Sequence, residues 1–81
     1  MKTLAIEFGH AMRKMRKHKG LSQDELALRA EIDRSYIGRI ERAEVNITLD
    51  MVYKIAEVLD CEPNELLPSR AYLEGQESSK A

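Results

Sequence analysis

The sequence predicts an all-α protein, one compact domain of five helices followed by a polar tail. Three observations carry that expectation. Apolar residues recur at helical spacing, and no stretch alternates as a strand would. A capping residue stands ahead of each periodic segment. An apolar residue just before each cap pairs with another inside the helix, the spacing of a hydrophobic staple.

Helix 1 is expected over about 4–18, lined by Phe8, Met12 and Met15 and stopped near Gly20, a natural C-terminal residue. Helix 2 follows over about 23–30. Ser22 caps it, Glu25 completes a capping box, and Leu21 staples to Leu26. Asp33 caps helix 3, about 34–42, with Ile32 and Ile37 as the staple. Thr48 caps helix 4, about 49–59, with Ile47 and Val52. Pro63 after Glu62 opens helix 5, about 63–67, where Cys61 and Leu66 form a weaker staple. Residues 68–81 form the tail, in which Tyr72 and Leu73 are the bulky apolar residues. Leu26, Ala27, Ile37, Ile40, Val52, Ile55, Ala56 and Leu59 complete the expected core, closed by Leu66 and Leu67.

The chain has 81 residues, 43 % of them apolar, enough for one small core. No run reaches membrane-spanning length, and the N-terminus lacks the apolar centre of a secretion signal. The single cysteine, Cys61, cannot build an internal disulfide, which fits a reducing cytoplasm. No metal-ligand spacing, glycine-rich phosphate loop or catalytic arrangement stands out, so no cofactor or small-molecule ligand is implied. Net charge is −1, yet the charge is unevenly spread. Residues 1–43 hold ten Lys/Arg against six Asp/Glu, and residues 44–81 hold three against eight. A basic half hints at a side that meets a polyanion, though on this fact alone ordinary surface charge is the slightly better explanation.

Helix 3 sharpens the question. On a helical wheel Tyr36, Ile37 and Ile40 share one side, with Glu41 beside them. Arg34, Ser35, Gly38, Arg39 and Arg42 share the other. Arginine can donate two parallel hydrogen bonds to a guanine edge in the major groove, so such a face suits DNA. Gly38 costs helix stability and makes sense where something approaches the backbone closely. For an isolated helix a solvated arginine face would be the better explanation. Helix 2 changes that, because two short helices joined by so tight a turn make the helix-turn-helix shape.

The ordered segments GLSQDELA, YIGRIER, ITLDMVYKIAEVL and EPNELL, within residues 8–67, resemble the Cro/C1-type (XRE) helix-turn-helix family. The resemblance implies a lambda-repressor-like domain that binds a double-stranded DNA operator as a homodimer and regulates transcription. Its short length is similar to controller proteins of restriction–modification systems and small phage-type repressors. Carried over by position, Arg34, Ser35 and Arg39 read bases, with Tyr36 and Gly38 beside them. Gln23, Arg42 and Asn46 contact phosphates, and Lys17 or Lys19 can strengthen that attraction. Arg16 and Glu41 match a buried salt bridge, which explains Glu41 on the apolar side of the wheel. Tyr53, Leu59, Leu66 and Leu67, in the acidic second half, are the candidates for the dimer contact.

Three departures from the family pattern stand out. Glu31 and Ala43 occupy sites where the family often has glycine, or glycine or asparagine, and where the backbone tends to be left-handed. Val45 replaces a frequently polar loop residue. The rival function is a protein-interaction module, an antitoxin or adaptor using the same fold. His10 and His18 read as exposed surface residues and Cys61 as a staple, not as pH or redox sensors.

Overall fold

The computed structural model describes residues 2–70, with the side chain of Lys2 left aside. Among the described residues four α-helices follow one another: α1 Lys2–His18, α2 Gln23–Ala30, α3 Arg34–Glu41 and α4 Leu49–Leu59. A single 3-10 turn, Pro63–Glu65, follows α4. Compared with the sequence expectation, α1 starts two residues earlier and α3 ends one residue sooner. Residues 71–81, including Tyr72 and Leu73, lie outside the described part.

The expected fifth helix is the clearest correction. Leu66 N–H donates to Pro63 O and Leu67 N–H to Asn64 O, the tighter 3-10 register, at 3.0 and 3.3 Å. Pro68 supplies no N–H and disfavours helical backbone at Leu67, so the turn cannot extend.

Each α-helix after the first begins on its expected cap. Ser22 Oγ accepts from Glu25 N–H at 3.0 Å, while Glu25 Oε1 accepts from Ser22 N–H at 2.8 Å. Asp33 Oδ1 accepts from Ser35 N–H at 2.9 Å, and Thr48 Oγ1 from Met51 N–H at 3.2 Å. Such caps satisfy main-chain donors that the helix itself leaves unpaired.

The helix ends repeat one design. Gly20, Glu31, Ala43 and Asp60 all have left-handed backbone, φ between 54° and 73°. At each, the next residue's N–H reaches back to the last turn: Leu21 to Arg16 O, Ile32 to Ala27 O, Glu44 to Arg39 O and Cys61 to Ala56 O, at 2.9–3.0 Å. This is the Schellman ending. Three corners then read left-handed residue, apolar residue, cap: Gly20–Leu21–Ser22, Glu31–Ile32–Asp33 and Asp60–Cys61–Glu62. The apolar residue serves as the last contact of one helix and the staple of the next. The corner after α3 differs, with Glu44 in the apolar position.

The core is continuous. Phe8, Met12, Leu26, Ile37, Ile40, Ile55, Leu59 and Leu66 are fully buried. α1 packs on α3, α2 packs on both α3 and α4, and the 3-10 turn packs on α4. Met15 is only half-buried against this core, and Leu67 is exposed and does not close it. Leu59 and Leu66, each 0 % exposed, cannot present side chains to a second copy. Their helical period is the same whether a face meets the core or a partner.

The caps and corners govern stability in two ways. Ala43→Gly removes a strained left-handed residue, less the extra freedom glycine gives the unfolded chain. The expected net gain of about 1 kcal/mol would raise Tm by about 4–8 °C, read by calorimetry. The second concerns acid. Hydrogen bonds from the Ser22 main chain hold the Glu25 carboxyl below its usual range, and those from the Ser35 hydroxyl and N–H do so for Asp33. A depressed folded-state pKa gives stability that is complete above the unfolded value, about 4, and is lost as pH falls through the folded one. Melting curves from about pH 5 down to pH 3 should therefore drop less steeply for the Glu25→Gln/Asp33→Asn double variant than for the wild type.

Candidate nucleic-acid interface

The candidate site starts with what holds α3 from behind. Arg16, on α1, donates from Nε to Glu41 Oε2 at 2.7 Å and from Nη2 to Glu41 Oε1 at 3.1 Å. Its Nη1 donates to Leu21 O at 2.8 Å, and Gln23 Nε2, on α2, donates to Glu41 Oε1 at 3.0 Å. The Arg16 and Glu41 side chains are 9 % and 4 % exposed. Among the described residues no buried side-chain polar atom lacks a partner. A bidentate, fully bonded pair of this kind fixes direction as well as charge. It locks the C-terminal end of α3 to both preceding helices.

Gly9 of α1 adds a second restraint. A Cβ at Gly9 would lie 2.8 Å from Ile40 O and 2.9 Å from Glu41 O, so α1 and α3 touch backbone to backbone. The sequence reading missed this residue. Its signal was a glycine inside a helix, next to Phe8 and one turn before Met12, where it costs stability unless contact demands it.

With Ile37, Ile40 and Glu41 directed inward, the other flank of α3 is open. Arg34, Ser35, Arg39 and Arg42 are exposed. Tyr36 is half-buried against the core. Arg34 Nε pairs with Asp24 Oδ1 across the α2–α3 corner. Arg42 donates from Nε and Nη2 to Glu44 at 2.9 and 3.3 Å, and Arg39 Nε lies 4.0 Å from the same carboxylate. Ser35 Oγ donates to Asp33 Oδ1.

Gly38 requires a correction. It is buried, and a Cβ there would meet Arg42 Nη1 at 3.1 Å and Gln23 Oε1 at 3.7 Å. The close approach comes from these two side chains of the same molecule, so Gly38 does not stand open to a base. Gln23 spends one amide hydrogen on Glu41. Its nitrogen carries a second, and its main-chain N–H opens α2, where the helix dipole favours anions.

The remaining candidates are spread around this core. Lys17 lies in the last turn of α1 and Lys19 in the turn beyond it, both exposed. Asn46 is exposed in the loop before α4, beside a hollow with Leu4, Ala5 and Ile47. Tyr53 is 64 % exposed, and Leu49, which the sequence reading did not single out, is 77 % exposed one turn earlier on α4. At Cys61, burial and then the Glu65 carboxylate raise the thiol's pKa, the opposite of the setting that makes a thiolate reactive.

The Arg16–Glu41 pair predicts its own mutational signature. Arg16→Ala or Glu41→Ala strands a buried charge and should cost about 3–5 kcal/mol, measured by urea unfolding. The double variant Arg16→Met/Glu41→Leu should lose much less.

Comparison with known proteins agrees with this geometry. A family model described as helix-turn-helix (HTH_3) matches residues 12–66. The chain is 39 % identical over 65 residues to the control protein C.BamHI of Bacillus amyloliquefaciens, covering 79 % of this chain and 80 % of that one. The restriction–modification controller protein C.AhdI of Aeromonas hydrophila has a similar structure, TM-score 0.75 at 45 % identity, over 76 % of this chain and 94 % of that one. SinR, a master regulator for biofilm formation solved in complex with DNA, superposes with TM-score 0.71 at 35 % identity, over 73 % and 95 % of the two chains.

Proposed function

The chain belongs to the helix-turn-helix family, and from that premise we propose that it is a DNA-binding transcriptional regulator of the restriction–modification controller type. The observation that carries this reading is the two-sided build of α3. Its inner flank is sealed by Ile37, Ile40 and Glu41, and its outer flank offers Arg34, Ser35 and Arg39 to solvent. That flank has the donors that read guanine edges in the major groove. Arg42, the main-chain N–H and amide of Gln23, and Asn46 would hold phosphates on either side, with Lys17 and Lys19 adding attraction. The reading also rests on the likeness to a DNA-bound regulator.

The regulator acts as a homodimer on a roughly palindromic operator, its half-sites about one helical turn apart. Leu49 and Tyr53 support a contact along α4, since they stand one turn apart on the same exposed face. Leu67, beyond the 3-10 turn, is a further exposed apolar side chain. The sign of regulation is then set by where the operator lies relative to its promoter. A free cysteine fits work in the cytoplasm, and no helix among the described residues is long and apolar enough to cross a membrane.

Selecting bound duplexes from a random pool tests DNA binding, symmetry and spacing together. Arg39→Ala should then relax choice at one base pair by about 1–3 kcal/mol. Arg42→Ala should weaken all sequences alike and lower the salt slope of binding by about one. If Arg34→Ala and Arg39→Ala each leave the selected sequence unchanged, α3 is not the reader.

A further inference from the structure

Every arginine on the outer flank of α3 has a carboxylate of the same chain beside it. Asp24, in the first turn of α2, accepts from Arg34 Nε. Glu44 accepts twice from Arg42 and lies 4.0 Å from Arg39 Nε, so one carboxylate serves two arginines. Glu44 is also the residue that breaks the corner pattern, standing where the other three corners have Leu21, Ile32 and Cys61. Its main-chain N–H closes the Schellman bond to Arg39 O at 2.9 Å, and its side chain contributes nothing apolar to the core. The fold therefore needs the backbone of Glu44 and leaves the carboxylate to the arginines. Hydrogen bonding from Arg42, and then the charges of Arg42 and Arg39, keep that carboxyl ionised by lowering its pKa.

Resting on the DNA-binding reading of α3, we propose that Asp24 and Glu44 are internal competitors for the arginines, which hold down binding to random DNA and so set the operator's advantage. Three guanidinium charges less two carboxylates leave the flank close to +1. An arginine moving to a phosphate exchanges one anion for another and gains little. For Arg34 and Arg39 the operator adds directed hydrogen bonds to guanine edges, which random DNA does not offer in register. The ion pairs are exposed and individually weak, so a matched sequence displaces them readily.

The test uses Asp24→Asn, Glu44→Gln and the double variant, with Glu57→Gln on α4 as a control that removes one carboxylate elsewhere on the surface. Dissociation constants are measured over a salt series for a duplex of random sequence and for the duplex selected on the wild type. Melting confirms that each variant is folded. Each of the two single substitutions should tighten random-duplex binding roughly three- to tenfold and steepen the salt slope by about one. Operator binding should change less, so the ratio falls. Unchanged random-duplex affinity would overturn the proposal, as would an equal gain from Glu57→Gln. A loss confined to the operator would overturn it too and make Glu44 a direct reader. A wild type that retains no duplex at low salt would instead overturn the DNA-binding reading itself, and the proposal with it.

Discussion

The structure turns on one buried ion pair. Arg16 uses all three guanidinium nitrogens, two on Glu41 and one on the Leu21 carbonyl, and Gln23 donates to the same carboxylate. Burying two charges is expensive, and their attraction offsets that cost only when the remaining donors and acceptors are also bonded. Here that condition is met, and the bonds come from three different segments. The pair therefore acts as a rotational stop. It pulls the Glu41 edge of α3 inward and thereby turns the Arg34, Ser35 and Arg39 flank out. Gly9 sets the distance, since any larger residue would push α1 off the α3 carbonyls.

Around that stop, three of the four corners share one device. A left-handed residue ends a helix, an apolar one seals the junction, and a cap starts the next helix. The device is compact enough to join α2 and α3 with three residues, Glu31, Ile32 and Asp33. The left-handed helix endings are also strained, because three of the four hold Glu31, Ala43 and Asp60 in place of glycine. The domain carries that strain at its surface, while the staple residues return packing energy at the same corners.

What could be read from the sequence was what is local. Ser22, Asp33 and Thr48 bond main-chain groups within three residues, so spacing alone revealed them. Glu41 was legible as a carboxylate on an apolar flank, and its match to Arg16 came from family resemblance, not from spacing. The misreadings concern contacts between distant segments. Gly38 looked like a gap left for a ligand because Gln23 and Arg42 could not be seen to fill it. Gly9 went unremarked because its partners are carbonyls on another helix. Leu59 and Leu66 have the period of an apolar face, and period does not say whether that face meets the core or a neighbour. The fifth helix failed on length: three residues ahead of a buried leucine and a proline leave room for one tight turn.

The two flanks of α3 have separate obligations. Ile37, Ile40 and Glu41 belong to the interior and tolerate little change. Arg34, Ser35 and Arg39 touch nothing in that interior, and their partners are surface carboxylates or a cap. Under the proposed reading, exchanges on this strip would alter the sequence recognised without disturbing the interior. Two such chains differing only at a few of these exposed positions would then share one core and ignore each other's DNA sites.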